Sequence, residues 1–134
     1  MQSRRGILIF TTLVFASIDL AHKALTAAAF HHARTPYITL VMGALIATLV
    51  VLVPRLPSTA AAVGAGIACG GALGNLVSLL AWPEGVPDPF VVAGASYGLA
   101  FNLADLFAVS GDALLLSAVI LYGMQQRAKL RERI

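Results

Sequence analysis

Six acidic residues are scattered through a chain of 134, and where they fall defines the chemistry open to it. Asp19 and Lys23 stand four apart inside one apolar stretch, Asn75 lies near the end of another, and Asn102 and Asp105 open a third. Polar side chains are costly in such surroundings, so each marks a candidate site or needs a partner. Two carboxylates that share a proton can run hydrolysis, one taking a proton from water while the other donates to the scissile carbonyl. Ser78 is a weaker nucleophile candidate: no histidine is evidently placed to activate it, and Lys23 is the only lysine inside an apolar stretch. Nothing resembles a metal-ligand cluster, a phosphate-binding glycine loop or a nucleic-acid module, so no cofactor, metal or nucleic-acid partner is expected.

The elements that must position these residues are membrane helices. Hydrophobic residues make up 59% of the chain and charged ones 11%, with a mean hydropathy of +0.88, which is outside the range of ordinary soluble domains. Four apolar stretches can be drawn, at about 6–30, 37–53, 58–82 and 101–124, each long enough to cross a bilayer. Pro36, Pro54, Pro57 and the prolines between 83 and 89 separate them, because proline ends helices and disfavours helical geometry in the residue before it. The expected fold is therefore all-α: one integral membrane domain over 1–134, a four-helix bundle with short outer loops. The lone Cys69 can form no disulfide within the chain.

Basic residues set the orientation. Arg4 and Arg5 precede the first stretch, Arg55 lies between the second and third, and Arg127, Lys129, Arg131 and Arg133 follow the fourth, so all share one side. The positive-inside rule makes that side cytoplasmic and puts both termini there. The start can also be read as a cleavable leader, but a retained first span is the expectation. The basic tail is expected to set topology more than to bind anionic lipid.

Small residues dominate the third stretch. Ala60, Gly64, Ala68 and Ala72 recur at a spacing of four, as do Gly66, Gly70 and Gly74, giving two adjacent faces that neighbouring helices can approach closely. Asn75 needs hydrogen-bond partners, and the fourth stretch offers Asn102 and Asp105, three apart on one face. Asp112, seven beyond Asp105 and about 10 Å deeper, is expected on that same face, looking into the bundle as a hydrogen-bonding group. Asp19 and Lys23 form an i,i+4 ion pair, and His22 next to them reads as a polar interfacial residue.

Two strings carry a family resemblance. Gly70-Gly71-Ala72-Leu73-Gly74-Asn75-Leu76 and Phe101-Asn102-Leu103-Ala104-Asp105 resemble the paired signature of signal peptidase II, the lipoprotein signal peptidases. Asp19-Leu20-Ala21-His22-Lys23 is similar to the family's aspartate followed four residues later by lysine, and Gly85-Val86-Pro87-Asp88-Pro89-Phe90 to its G-x-V-x-D-x-x-D-F region. Phe30-His31-His32-Ala33-Arg34-Thr35 resembles the family's stretch before its N-x-G-A-A-F segment, whose glycine-alanine-phenylalanine part is missing here. The resemblance implies an aspartic-protease dyad of Asp105 and a partner at position 78, where Ser78 and Leu79 stand in place of an aspartate and an arginine. It also implies that Asp19, Lys23, Arg34, Asn75 and Asn102 support the pocket, and that an outer β-cradle is present, minimal here because few residues separate Lys23 from Pro36.

Two functions are expected from this resemblance. The first is a catalytically silent or impaired relative in the bacterial cytoplasmic membrane, whose groove between the third and fourth helices binds a lipid, a signal-peptide helix or another membrane protein. The alternative is an active aspartic endopeptidase in which Asp88, before Asp19, supplies the second carboxylate. A proton-coupled transporter using Asp19, Asp105 and Asp112 is disfavoured, because four helices show no internal repeat.

Overall fold

The computed structural model describes residues 2–33, 35–92 and 99–132. Four α-helices carry the fold: α1 Gln2–Leu25, α2 Pro36–Leu52, α3 Thr59–Ala81 and α4 Leu103–Arg131, each part of a segment long and apolar enough to span a membrane. Three of their starts follow local capping chemistry. Thr35 accepts from the Ile38 amide with Pro36 in the first turn of α2, Ser58 accepts from the Ala61 amide in α3, and Asn102 caps α4. A 3-10 turn, Val53–Arg55, joins α2 to α3.

Helix ends differ from expectation at two places. The first helix stops at Leu25 rather than near 30, because Phe30–His32 leaves it to form a strand, β1. The fourth runs to Arg131 rather than stopping near 124, since Gln125 to Arg131 are mostly strong helix formers and need no membrane to stay helical. Basic Lys129 and Arg131 in its last turn also suit the negative end of the helix dipole.

α3 is the hub, packed chiefly against α1 on one side and α4 on the other. Its glycines make this possible. A Cβ on Gly66 or Gly70 would lie 2.6 Å from the Thr11 or Phe15 Cβ of α1, whereas one on Gly71 would collide with the Ala104 carbonyl of α4. On α4 the facing residue is Gly111, which meets the Ala68 amide. The two small-residue faces of α3 thus serve two different helices, as close approach without large side chains requires. Leu8, Val53, Ala61, Ala62, Ala65 and Ala118 form the buried apolar cluster. α2 is peripheral and buries none of its residues.

Asp112 departs from expectation. It is exposed and borders a small cleft of about 50 Å³ among Leu45, Leu49, Cys69 and Ala108, whereas its neighbour Gly111 turns to the bundle. One residue is a 100° rotation, and the α3 contact follows Ala104, Ala108, Gly111 and Leu115, so position 112 falls to the side.

Strands occupy the end of the bundle that carries Asp88 and Asp105. β1 pairs antiparallel with β2, Val86–Asp88, in the register Phe30 to Asp88 and His32 to Val86. β3, Phe90–Val92, pairs with β4, Leu99–Phe101, with Phe90 opposite Phe101. These ribbons were not expected from the sequence beyond a minimal cradle. At the other end the Arg4 guanidinium donates to the Pro54 carbonyl at 3.3 Å, joining the start of α1 to the turn between α2 and α3.

Candidate functional site

The start of α4 organises the polar residues. Helix N-termini leave backbone amides without intrahelical partners. Here Asn102 Oδ1 accepts from the Asp105 amide at 3.2 Å, and Asp105 Oδ2 accepts in return from the Asn102 amide at 3.1 Å, a reciprocal capping box. Asp19 of α1 supplies the third bond: its Oδ1 accepts from the Ala104 amide at 2.9 Å. Two carboxylates therefore meet the positive end of the α4 dipole, which stabilises negative charge.

Lys23 anchors the other side of Asp19. Its ammonium donates to Asp19 Oδ2 at 2.6 Å, Asn75 Oδ1 at 2.8 Å and Ser78 Oγ at 3.1 Å, so all three N–H bonds are used. Both members of the ion pair are fully buried at their side chains. Gly74 is required beside it, because a Cβ there would collide with the Asp19 carboxylate. Asn75 faces both ways: its oxygen takes the lysine, and its Nδ2 donates to Asp105 Oδ1 at 3.0 Å.

Asp88 closes the arrangement. The β2 strand holds it nearly buried, with Oδ1 accepting from Asn102 Nδ2 at 2.6 Å and Oδ2 lying 2.8 Å from His32 Nδ1. Asn102 thus stands between two carboxylates, bonded to both. A cavity of about 270 Å³ is lined by His32, Asp88, Leu99, Ala100, Phe101 and Asp105, so both carboxylates border one space. Apolar Phe30, Val91, Val92 and Leu99 are each about half exposed on the strands that carry the site.

The expected site residues divide into two layers. Asp88 and Asp105 border the cavity, and Asp19, Lys23, Asn75 and Asn102 are buried behind it. Ser78 is fully buried and bonds to Lys23 and to the Gly74 carbonyl at 2.7 Å; it is not among the residues lining the cavity. Position 78 is therefore a seat for Lys23, and the carboxylate that shares a cavity with Asp105 is Asp88. Arg34 lies outside the described residues. Among the described residues no group of three or more histidines, cysteines and acidic residues could hold a metal. His32 was not singled out by sequence, since a three-residue strand, Phe30–His32, is too short to give a periodic signal.

The fold is thus a bundle of four helices long and apolar enough to span a membrane, with two carboxylates bordering a cavity at the N-terminus of α4. The family model described as signal peptidase (SPase) II matches residues 5–121, and the chain belongs to that family. No curated protein matches it.

Proposed function

We infer that the chain is an active aspartic endopeptidase that cleaves lipoprotein precursors in the bacterial cytoplasmic membrane, with Asp88 and Asp105 as its dyad. The observation that carries this reading is the single cavity bordered by both carboxylates, with Asn102 bonded to each. Two carboxylates that border one space can divide the work of an aspartic protease, one activating water while the other protonates the carbonyl oxygen. The proton taken from water then passes to the leaving amine as the tetrahedral intermediate collapses. The half-exposed apolar side chains on the strands offer a surface for a substrate's acyl chains, and the spans around them keep its signal helix in the same membrane.

Purified protein in detergent, given a diacylglyceryl-modified prolipoprotein, is the test. Cleavage is expected, with Asp88→Asn and Asp105→Asn each lowering it by about 10³-fold or more. Binding of the precursor without cleavage would instead favour the silent relative that holds a lipid or a signal-peptide helix.

A further inference from the structure

Asp112 is a carboxylate of the spans that the site does not use. It lies about 14 Å along α4 from Leu103 at 1.5 Å per residue, near the middle of a hydrocarbon layer about 30 Å thick. The residue is exposed on the outside of the bundle and makes no hydrogen bond or ion pair with any described residue. A carboxylate that faces hydrocarbon without a partner is costly, and an aspartate side chain is too short to reach water from that depth. The chain's own cations do not relieve it. Among the described residues Lys23 is committed to Asp19, Asn75 and Ser78, while Arg4, Arg55, Arg127, Lys129 and Arg131 belong to the end of the bundle away from the strands.

The surroundings of Asp112 form a groove. The cleft of about 50 Å³ runs between α2 and α4 over α3: Leu45 and Leu49 line one side, Ala68 and Ala72 the floor, and Ala108 and Asp112 the other side. It is too small for more than a water or two, so a larger occupant must lie across its mouth. Val109 and Leu116, three before and four after Asp112 on the same strip of α4, are 70% and 61% exposed, and α2 on the far side buries none of its residues. Exposed apolar side chains are ordinary for helices in lipid. A carboxylate set among them is not.

We propose that the groove between α2 and α4 docks a transmembrane helix of a partner protein, one that carries a lysine or arginine at its middle, and that this cation pairs with Asp112. Charge complementarity selects the occupant. A lipid amine stays at the headgroups, and only a helix brings a side chain to this depth, because a lone strand cannot satisfy its backbone in hydrocarbon. Each charge is costly in lipid without the other, which holds the two helices together. Ala68, Ala72 and Ala108 leave room at the cleft for the long basic side chain and let the partner's backbone approach. The precursor's signal helix does not fit this description, since signal peptides carry their basic residues ahead of the apolar core rather than within it. The groove is therefore separate from the cavity of Asp88 and Asp105, and docking there does not depend on cleavage.

Trp82, the one tryptophan of the chain, serves as the reporter. The whole protein is reconstituted in phosphatidylcholine vesicles with a tryptophan-free, leucine-rich helical peptide of about 20 residues that carries a dansyl acceptor at one end. Three peptides are compared: one with lysine at its centre, one with leucine there, and one with the lysine moved to an end. Energy transfer from Trp82 is expected to reach half-saturation at a peptide-to-lipid ratio about threefold or more lower for the central lysine than for either of the others. Asp112→Leu should abolish that preference. Asp112→Asn has nearly the shape of the native side chain without its charge, and should lose most of the preference while keeping the unfolding midpoint of the unaltered protein. Equal binding of the three peptides to the unaltered protein would overturn the proposal, and so would a full preference for the central lysine in Asp112→Asn, whatever the behaviour of Asp112→Leu. Cross-linking in the same vesicles tests the other occupant. Self-association that Asp112→Asn abolishes and the central-lysine peptide fails to displace would make a second copy the partner and would likewise overturn it.

Discussion

Lys23 makes three hydrogen bonds to three residues, and two of these partners come from a helix more than fifty residues away. The i,i+4 pairing with Asp19 was legible because it is local. The tie to Asn75 and Ser78 depends on how α1 and α3 are juxtaposed, which spacing within one stretch does not fix. One clue was present: Gly66, Gly70, Gly74 and Ser78 continue a single spacing of four, so position 78 belongs to the face of α3 that meets α1. The resemblance pointed it toward Asp105 instead. Two predictions follow from the corrected placement. Ser78→Asp adds a second carboxylate to the Lys23 seat and is expected to give no gain in precursor cleavage. Lys23→Met leaves Asp19 buried without its cation and should cost about 3–5 kcal/mol. Thermal unfolding in detergent would measure the loss, and the double variant with Asp19→Asn should lose less than the sum of the two.

At the scale of elements, the helices were legible from hydropathy and proline punctuation, and the strands were not. Each strand is three residues long, too short for alternation to register, and Pro87 sits inside β2, where a proline argues against a strand. Its pairing is settled by contact with β1, in which Phe30 meets Asp88 and His32 meets Val86 from far along the chain. The helix packing was legible in kind because glycine at a spacing of four has few other uses in an apolar segment. Which face served which helix was not. That assignment predicts different outcomes for similar changes. Gly111→Val forces α4 away from α3 and should destabilise the fold by about 1–3 kcal/mol or more, as overpacking does. Gly123→Val, where a Cβ meets nothing within 4 Å, is expected to be nearly neutral. Unfolding midpoints of the two variants in one detergent provide the comparison.

The whole molecule is polarised along the membrane normal. Its site end carries Asp88, Asp105, the strands and Glu84, while the other end carries Arg4, Arg55 and the basic end of α4. Four crossings return the chain to the side on which it began, so the contact between Arg4 and Pro54 and the basic residues of α4 belong together. Basic residues in short segments flanking spans are as a rule retained in the cytoplasm, so Asp88 and Asp105 are expected at the outer face. A precursor whose signal helix shares the membrane would then meet the carboxylates at the surface where the exported segment emerges. This orientation is open to direct measurement. With Cys69 replaced by alanine, a cysteine is placed either at Glu84, exposed before β2, or at Leu130, exposed in the last turn of α4. In intact cells a membrane-impermeant maleimide should modify the first and spare the second until the membrane is opened. Labelling of Leu130→Cys from outside, with Glu84→Cys protected, would place the dyad in the cytoplasm and remove its access to exported precursors.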